Sequence, residues 1–229
     1  MAALRLADEL AWQAFWHTAR RAQGPLPEAL LHESALELEP KGFRLFRNGG
    51  LPLLERRTGD FVEEILLVPG PEVEGGRSVN ARVHVSSQRL REFRERYWQP
   101  ASLAPAVLAG GDVGWFDLPP AHVAWRVETE RDVAELLSVL TESVLPWLEV
   151  FWDLPRLWDA LEHGGYPLLR PAVAVELAGA WVGKGEGLRL LRALARLDAF
   201  SEEERARLLR MARTYGWVRP GSHAALFAL

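Results

Sequence analysis

The chain contains no cysteine. Disulfides, thiolate-bound metals, iron–sulfur ligation and cysteine nucleophiles are therefore excluded. Lysine is almost missing too: of 27 basic residues only Lys41 and Lys184 are lysines, the rest being arginine. With abundant leucine and alanine, that bias fits a GC-rich, thermophilic source, a statement about genome and stability rather than function. There is no cationic surplus, the net charge being −4. A general nucleic-acid binder, which must displace phosphate counterions, is thus disfavoured. Unbroken apolar runs are missing as well. The longest apolar stretch, 133–151, is interrupted by Glu135, Glu142 and Glu149 and cannot span a bilayer. Residues 1–22 carry Arg5, Asp8, Glu9, Arg20 and Arg21, leaving no apolar signal core, so the cytoplasm is the expected compartment.

What is present is ordinary globular material: 229 residues, 48% apolar and 25% charged. That is enough chain to bury roughly 70% of its unfolded surface without staples. Trp12, Phe15, Trp16 and Ala19 recur at helical spacing and predict a first helix over 2–22, ended by Gly24, Pro25 and Pro27. A short second helix is expected over 27–36. Segments 42–47 and 51–57 flank Asn48-Gly49-Gly50, a turn that supplies positive φ, and read as a hairpin. Thr58-Gly59-Asp60 turns again into a strand over 61–68. The clearest strand follows: Val79, Ala81, Val83 and Val85 alternate with Asn80, Arg82, His84 and Ser86, apolar on one side and polar on the other.

Ser86 or Ser87 can cap a helix running to about Trp98. Residues 99–120, rich in proline and glycine, read as a long loop, and 122–127 as a fifth strand. Thr129 with Asp132, and Ser201 with Glu204, have capping-box spacing. The first opens a long helix whose stripe of Val133, Leu136, Leu137, Leu140, Val144, Trp147, Leu148 and Phe151 is bent at Pro146. A short helix starts near Asp153 and Pro155. Segments 172–182 and 187–197 form a helical hairpin about Gly183-Lys184-Gly185, and a last helix runs from 201 to about 215. The expected class is α+β: an antiparallel sheet of four to five strands packed by helices, then an all-helical C-terminal extension. The boundary falls between 1–164 and 165–229. No 34-residue repeat recurs, which argues against a solenoid.

Several of these motifs together resemble a family of bacterial proteins described only as a domain of unknown function. They are Gly42-Phe43, the charged turn through Arg57 into Gly59-Asp60-Phe61, the alternating 79–85 strand, Trp115-Phe116, and Leu145-Pro146-Trp147-Leu148. The match spans about 26–160. Where the family pattern has a doubled tryptophan, this chain has Trp-Phe. The resemblance implies a small sheet covered by helices and supplies no catalytic residue. Some such proteins look like accessory or immunity-type binding modules, an analogy of fold only.

Motif by motif, the chemistry is sparse. Gly179 to Lys184 brushes against a phosphate loop, but three residues separate the glycines, Gly185 follows the lysine, and no strand precedes; a helix–helix turn explains it better. Asn80, Arg82 and His84 project together from one strand and could form a ligand surface, joined by Glu63 or Glu64 from a neighbour. A solvated outer face is the simpler account, and no metal-ligand spacing occurs. Arg89, Arg91, Arg94 and Arg96 could grip an anion, yet interleaved Glu92 and Glu95 favour ordinary ion pairs along a helix. There is no Gly-x-Ser-x-Gly elbow and no dinucleotide fingerprint after a strand.

Ten tryptophans are the oddest feature. Trp98, Trp115, Phe116 and Trp125 fall in or beside the long loop, where amphipathic aromatics serve as anchors for protein partners. The expected function is therefore a non-enzymatic protein-binding or accessory module, engaging a protein partner through Asn80, Arg82, His84, Trp98, Trp115, Phe116 and Trp125. No cofactor and no metal are expected. The alternative is a small-molecule hydrolase-type enzyme using Arg82, His84 and Glu63 or Glu64 in a sheet-lined pocket. Catalytic residues and oligomeric state are not legible.

Overall fold

A computed structural model describes residues 28–48, 51–70, 78–97, 106–116, 124–162, 169–196 and 201–218. The helix expected over 2–22 and Trp98 lie outside them. Helix α1 (Glu28–Leu38) runs into a 3-10 turn, Glu39–Lys41. Gly42, at φ +91°, closes it: its N–H donates to the Glu39 carbonyl at 2.9 Å, and the Phe43 N–H reaches the Leu38 carbonyl at 3.2 Å. This paired back-bonding around a left-handed glycine is a Schellman close. It delivers the next side chain, Phe43, into the core.

Strands β1 (Arg44–Asn48) and β2 (Leu51–Thr58) pair antiparallel, with Leu45 opposite Leu54 and Phe46 opposite Leu53. Then come β3 (Phe61–Pro69), β4 (Ser78–Ser87), β5 (Ala106–Asp112) and the short β6 (Trp125–Arg126). The sheet order is β1-β2-β3-β4-β5, and β6 pairs with the start of β4, Trp125 opposite Val79. Val79, Ala81, Val83 and Val85 are all fully buried, as their alternation requires. The other side of β4 departs from expectation. Asn80 and Arg82 are half-buried, and His84 and Ser86 are buried. Alternation identifies the apolar side of a strand but says nothing of what covers the polar one.

A second difference concerns 99–120. Within that stretch the chain forms β5 and a 3-10 turn, Val113–Phe116. Gly110 and Gly111 read as breakers, but strand pairing overrides local propensity. Leu108 and Ala109 are buried, and Ala109 also bridges Leu169. The fifth strand expected over 122–127 is, among the described residues, only Trp125–Arg126.

Helix α2 (Gln88–Glu95) starts at Ser87, whose Oγ accepts the Leu90 N–H at 3.1 Å. Helix α3 (Glu130–Val139) opens on the full Thr129–Asp132 capping box. The long rod anticipated over 130–151 is segmented: α3, a π turn at Leu140–Val144, α4 (Leu145–Glu149), and a 3-10 turn at Val150–Trp152. Pro146 has no N–H for the Glu142 carbonyl. One residue earlier, the Leu145 N–H reaches back five residues to Leu140, widening the turn ahead of the proline. Of the apolar stripe, Val133, Leu136, Leu140, Val144, Trp147, Leu148 and Phe151 are buried, while Leu137, one position round the helix from Leu136, is half-buried. Helices α5 (Leu154–Glu162), α6 (Pro171–Trp181), α7 (Lys184–Ala195) and α8 (Glu202–Thr214) follow, α8 opening on the Ser201–Glu204 box. Among the described residues no helix is long and apolar enough to cross a membrane.

By packing, the chain divides into two compact units that interleave along the sequence. One holds the described residues up to Arg57, with Val62–His84 and Gly111–Trp147. The other holds Thr58–Phe61, Val85–Gly110 and the described residues from Leu148 onward. The last strand, β6, ends at Arg126, and from Glu130 onward the named elements are helices and helical turns.

Within the first unit sits a fully buried carboxylate. Glu63 accepts a 2.5 Å hydrogen bond from Arg56 Nε. The guanidinium also donates from Nη1 to the Lys41 carbonyl at 3.0 Å and lies 4.4 Å over the Phe43 ring. Helix end, β2 and β3 are thereby tied at one point. Removing one partner strands the other charge in the core, so Glu63→Leu should cost roughly 3–5 kcal/mol in urea unfolding. Arg56→Met combined with Glu63→Leu should recover most of that loss. A double variant no better than the single one would contradict this account.

Candidate functional site

Since Glu63 points into the core, Glu64 must point out of the opposite face. There it meets Glu55 and Arg57, which alternate with Arg56 along β2. Arg57 Nε donates to Glu55 Oε1 at 2.7 Å. Burial, reinforced by the Glu55 charge and only partly offset by Arg57, raises the Glu64 carboxyl to about 7. This carboxyl therefore exchanges its proton near neutrality.

His84 and Arg82 form a second cluster, on β4. Burial pushes the imidazole down to about 3, with the neighbouring Arg82 charge adding to the effect. His84 is thus neutral at physiological pH. Arg82 is half-buried, and desolvation lowers its pKa against the opposing pull of Asp112. Asp112, at the end of β5, does local work as well: its Oδ1 accepts the Gly114 N–H at 2.9 Å and starts the 3-10 turn. Sequence reading passed over Asp112, although Asp-x-Gly is a turn signal.

That turn presents the aromatics. Trp115 is 50% exposed, whereas Phe116 is half-buried and packs edge-on against buried Trp147, ring centroids 5.3 Å apart. The turn also packs on the π turn at Leu140–Val144. Asp112 thus acts on Arg82 by its charge and caps the turn that carries Trp115 and Phe116. Trp125 lies opposite Val79 at the far end of β4, buried to 5%, and its indole N–H meets no acceptor among the described residues. Asn80 sits between the two ends, half-buried.

The arginines of α2 have structural duties. Arg89 reaches the Ala180 carbonyl at 3.2 Å and Asp60 at 3.4 Å, and stacks 4.9 Å over Trp181. Arg91 pairs with Glu95 at 3.3 Å. Arg94 grips buried Glu176 with Nε at 3.1 Å and Nη2 at 2.5 Å. Lys184, in the phosphate-loop look-alike, lies in the first turn of α7 and donates to the Gly216 carbonyl at 3.4 Å. Among the described residues no group of three or more His, Asp and Glu is placed to hold a metal ion. No family model, curated protein or solved structure matches the chain. The family resemblance rests on its motifs alone.

The two displaced titrations oppose each other. Between pH 4.5 and about 7 the folded state holds the Glu64 proton more tightly than the unfolded chain does, so stability falls as pH rises. Below 6.5 the unfolded chain protonates its histidine while folded His84 stays neutral to about 3, so stability falls as pH drops. Glu64→Gln should therefore leave a fold that weakens more steeply on acidification from 6.5 to 4.5, and should stabilise it on the order of 1–2 kcal/mol above pH 7. Urea midpoints across pH check this; parallel curves for variant and parent would refute the Glu64 assignment. Separately, Trp125→Phe removes a buried donor that meets no acceptor among the described residues, which offsets the packing lost with the smaller ring, and should cost no more than about 1 kcal/mol. A loss of roughly 2 kcal/mol or more in thermal unfolding would show that its N–H is in use.

Proposed function

We propose that this protein is a non-enzymatic binding module that grips a protein partner through Trp115, with Phe116 and the Arg82–Asp112 side of the sheet as its setting. One observation carries the reading: a half-exposed indole on a short turn that is pinned from both sides, by the Asp112 cap before it and the Phe116–Trp147 contact after it. A rigid, partly exposed tryptophan loses little freedom when it enters an apolar pocket, which is the physical basis of a binding anchor. Binding is also favoured over hydrolytic chemistry by how the titratable groups are distributed. Glu63 is committed to Arg56, Glu64 lies with Glu55 and Arg57, and His84 lies with Arg82. Acid–base catalysis needs such groups converging on one reacting atom.

A photo-cross-linking residue at position 115 should capture a partner that mass spectrometry identifies. Against that purified partner, Trp115→Ala should weaken binding by about 2 kcal/mol, roughly thirtyfold in Kd, with circular dichroism unchanged. Equal affinity of Trp115→Ala and the parent would overturn the reading.

A further inference from the structure

A different feature, in the second unit, belongs to none of this. Helix α8 ends as α1 does. Gly216, at φ +64°, donates its N–H to the Arg213 carbonyl at 2.9 Å, and the Trp217 N–H reaches the Ala212 carbonyl at 2.8 Å. This second Schellman close aims the following aromatic at the protein. Trp217 lands, 7% exposed, over two glycines that face each other from α6 and α7. A Cβ built on Gly179 would sit 2.4 Å from the indole, and one on Gly187 2.6 Å from it. The seat is defined by two missing side chains. Phe93 walls it, its ring centroid 6.2 Å from that of Trp217.

Polar ties fasten the same turn. The Tyr215 hydroxyl donates to Glu176, the carboxylate that also receives Arg94. Lys184 Nζ holds the Gly216 carbonyl. Helix α8 itself has an exposed first turn, Glu202–Glu204, and buries only Leu208, Leu209, Met211 and Ala212 along its length. Its anchorage is concentrated at its C-terminal end.

We infer that Tyr215–Trp217 is a latch: one indole in a glycine notch holds α8 against the α6–α7 hairpin, and its withdrawal releases α8 as a unit while the hairpin stays folded. An element with an exposed first turn, whose buried side chains begin only at Leu208 and whose closing turn carries the aromatic and polar ties, opens locally before the whole fold does. Opening uncovers the notch and Phe93, an apolar seat shaped for an indole.

Hydrogen exchange read by mass spectrometry on the full chain tests this. In Trp217→Ala, exchange over 202–218 should rise about tenfold or more, while 171–195 and the strands at 61–69 and 78–87 keep their protection. Free indole should restore the lost protection, because the vacated notch fits it. Gly187→Ala, which leaves Trp217 intact but fills its seat, should open the same segment. Should Trp217→Ala fail to fold, Trp217→Phe, which retains part of the contact, should show the same pattern more weakly. The latch is overturned if hairpin and α8 lose protection together, if no segment changes, or if indole restores nothing.

Discussion

A carboxylate with no exposure to water sits in the middle of this sheet, and much of the first unit is arranged around it. Glu63 cannot remain ionised in the core without a partner at hydrogen-bond distance, because desolvating a lone charge costs several kcal/mol. Arg56 meets that need from β2 across the turn at Gly59. Its Nη1 donates to the Lys41 carbonyl, and its plane covers Phe43. A one-residue slip of β2 against β3 would throw Arg56 and Glu63 to opposite faces, so the pair fixes the register as firmly as the hydrophobic pattern does. The end of α1 is held by the same guanidinium.

That pairing also decides what the opposite face can do. With Glu63 turned inward, Glu64 is left outside beside Glu55, and the partial burial of two nearby acids moves one of them to about 7. On β4 the same alternation sends four small apolar residues inward and leaves Arg82 and His84 on the other side. Glu64 thus answers to Glu55 and Arg57, and His84 to Arg82. The turn that carries the exposed Trp115 is capped by Asp112, the carboxylate whose charge acts on Arg82. That distribution of charge is one support for the binding module proposed above.

The two helix ends built on glycine followed by an aromatic solve one problem twice. Gly42-Phe43 and Gly216-Trp217 each satisfy the last carbonyls of a helix and convert the chain's exit into a directed aromatic contact. Gly42-Phe43 was recognisable in the sequence because a strand pattern follows it. Gly216-Trp217 was not, since its partners, Gly179 and Gly187, lie 38 and 30 residues earlier as numbered and look like ordinary helical glycines.

Local rules alone determined the strands at 44–48, 51–58, 61–69 and 78–87, both capping boxes and the helical hairpin, because alternation, caps and turn residues act over a few neighbouring residues. They also established that Val79, Ala81, Val83 and Val85 share a buried side. Only the tertiary structure made a strand of 106–112 against its glycines and split the rod at 130–151 with a π turn. It alone buried Trp125 while exposing Trp115, and it divided Glu63 from Glu64 by what each one meets. Those outcomes depend on which distant side chains arrive at a given surface, and burial, charge pairing and strand pairing are properties of that arrival rather than of the local sequence.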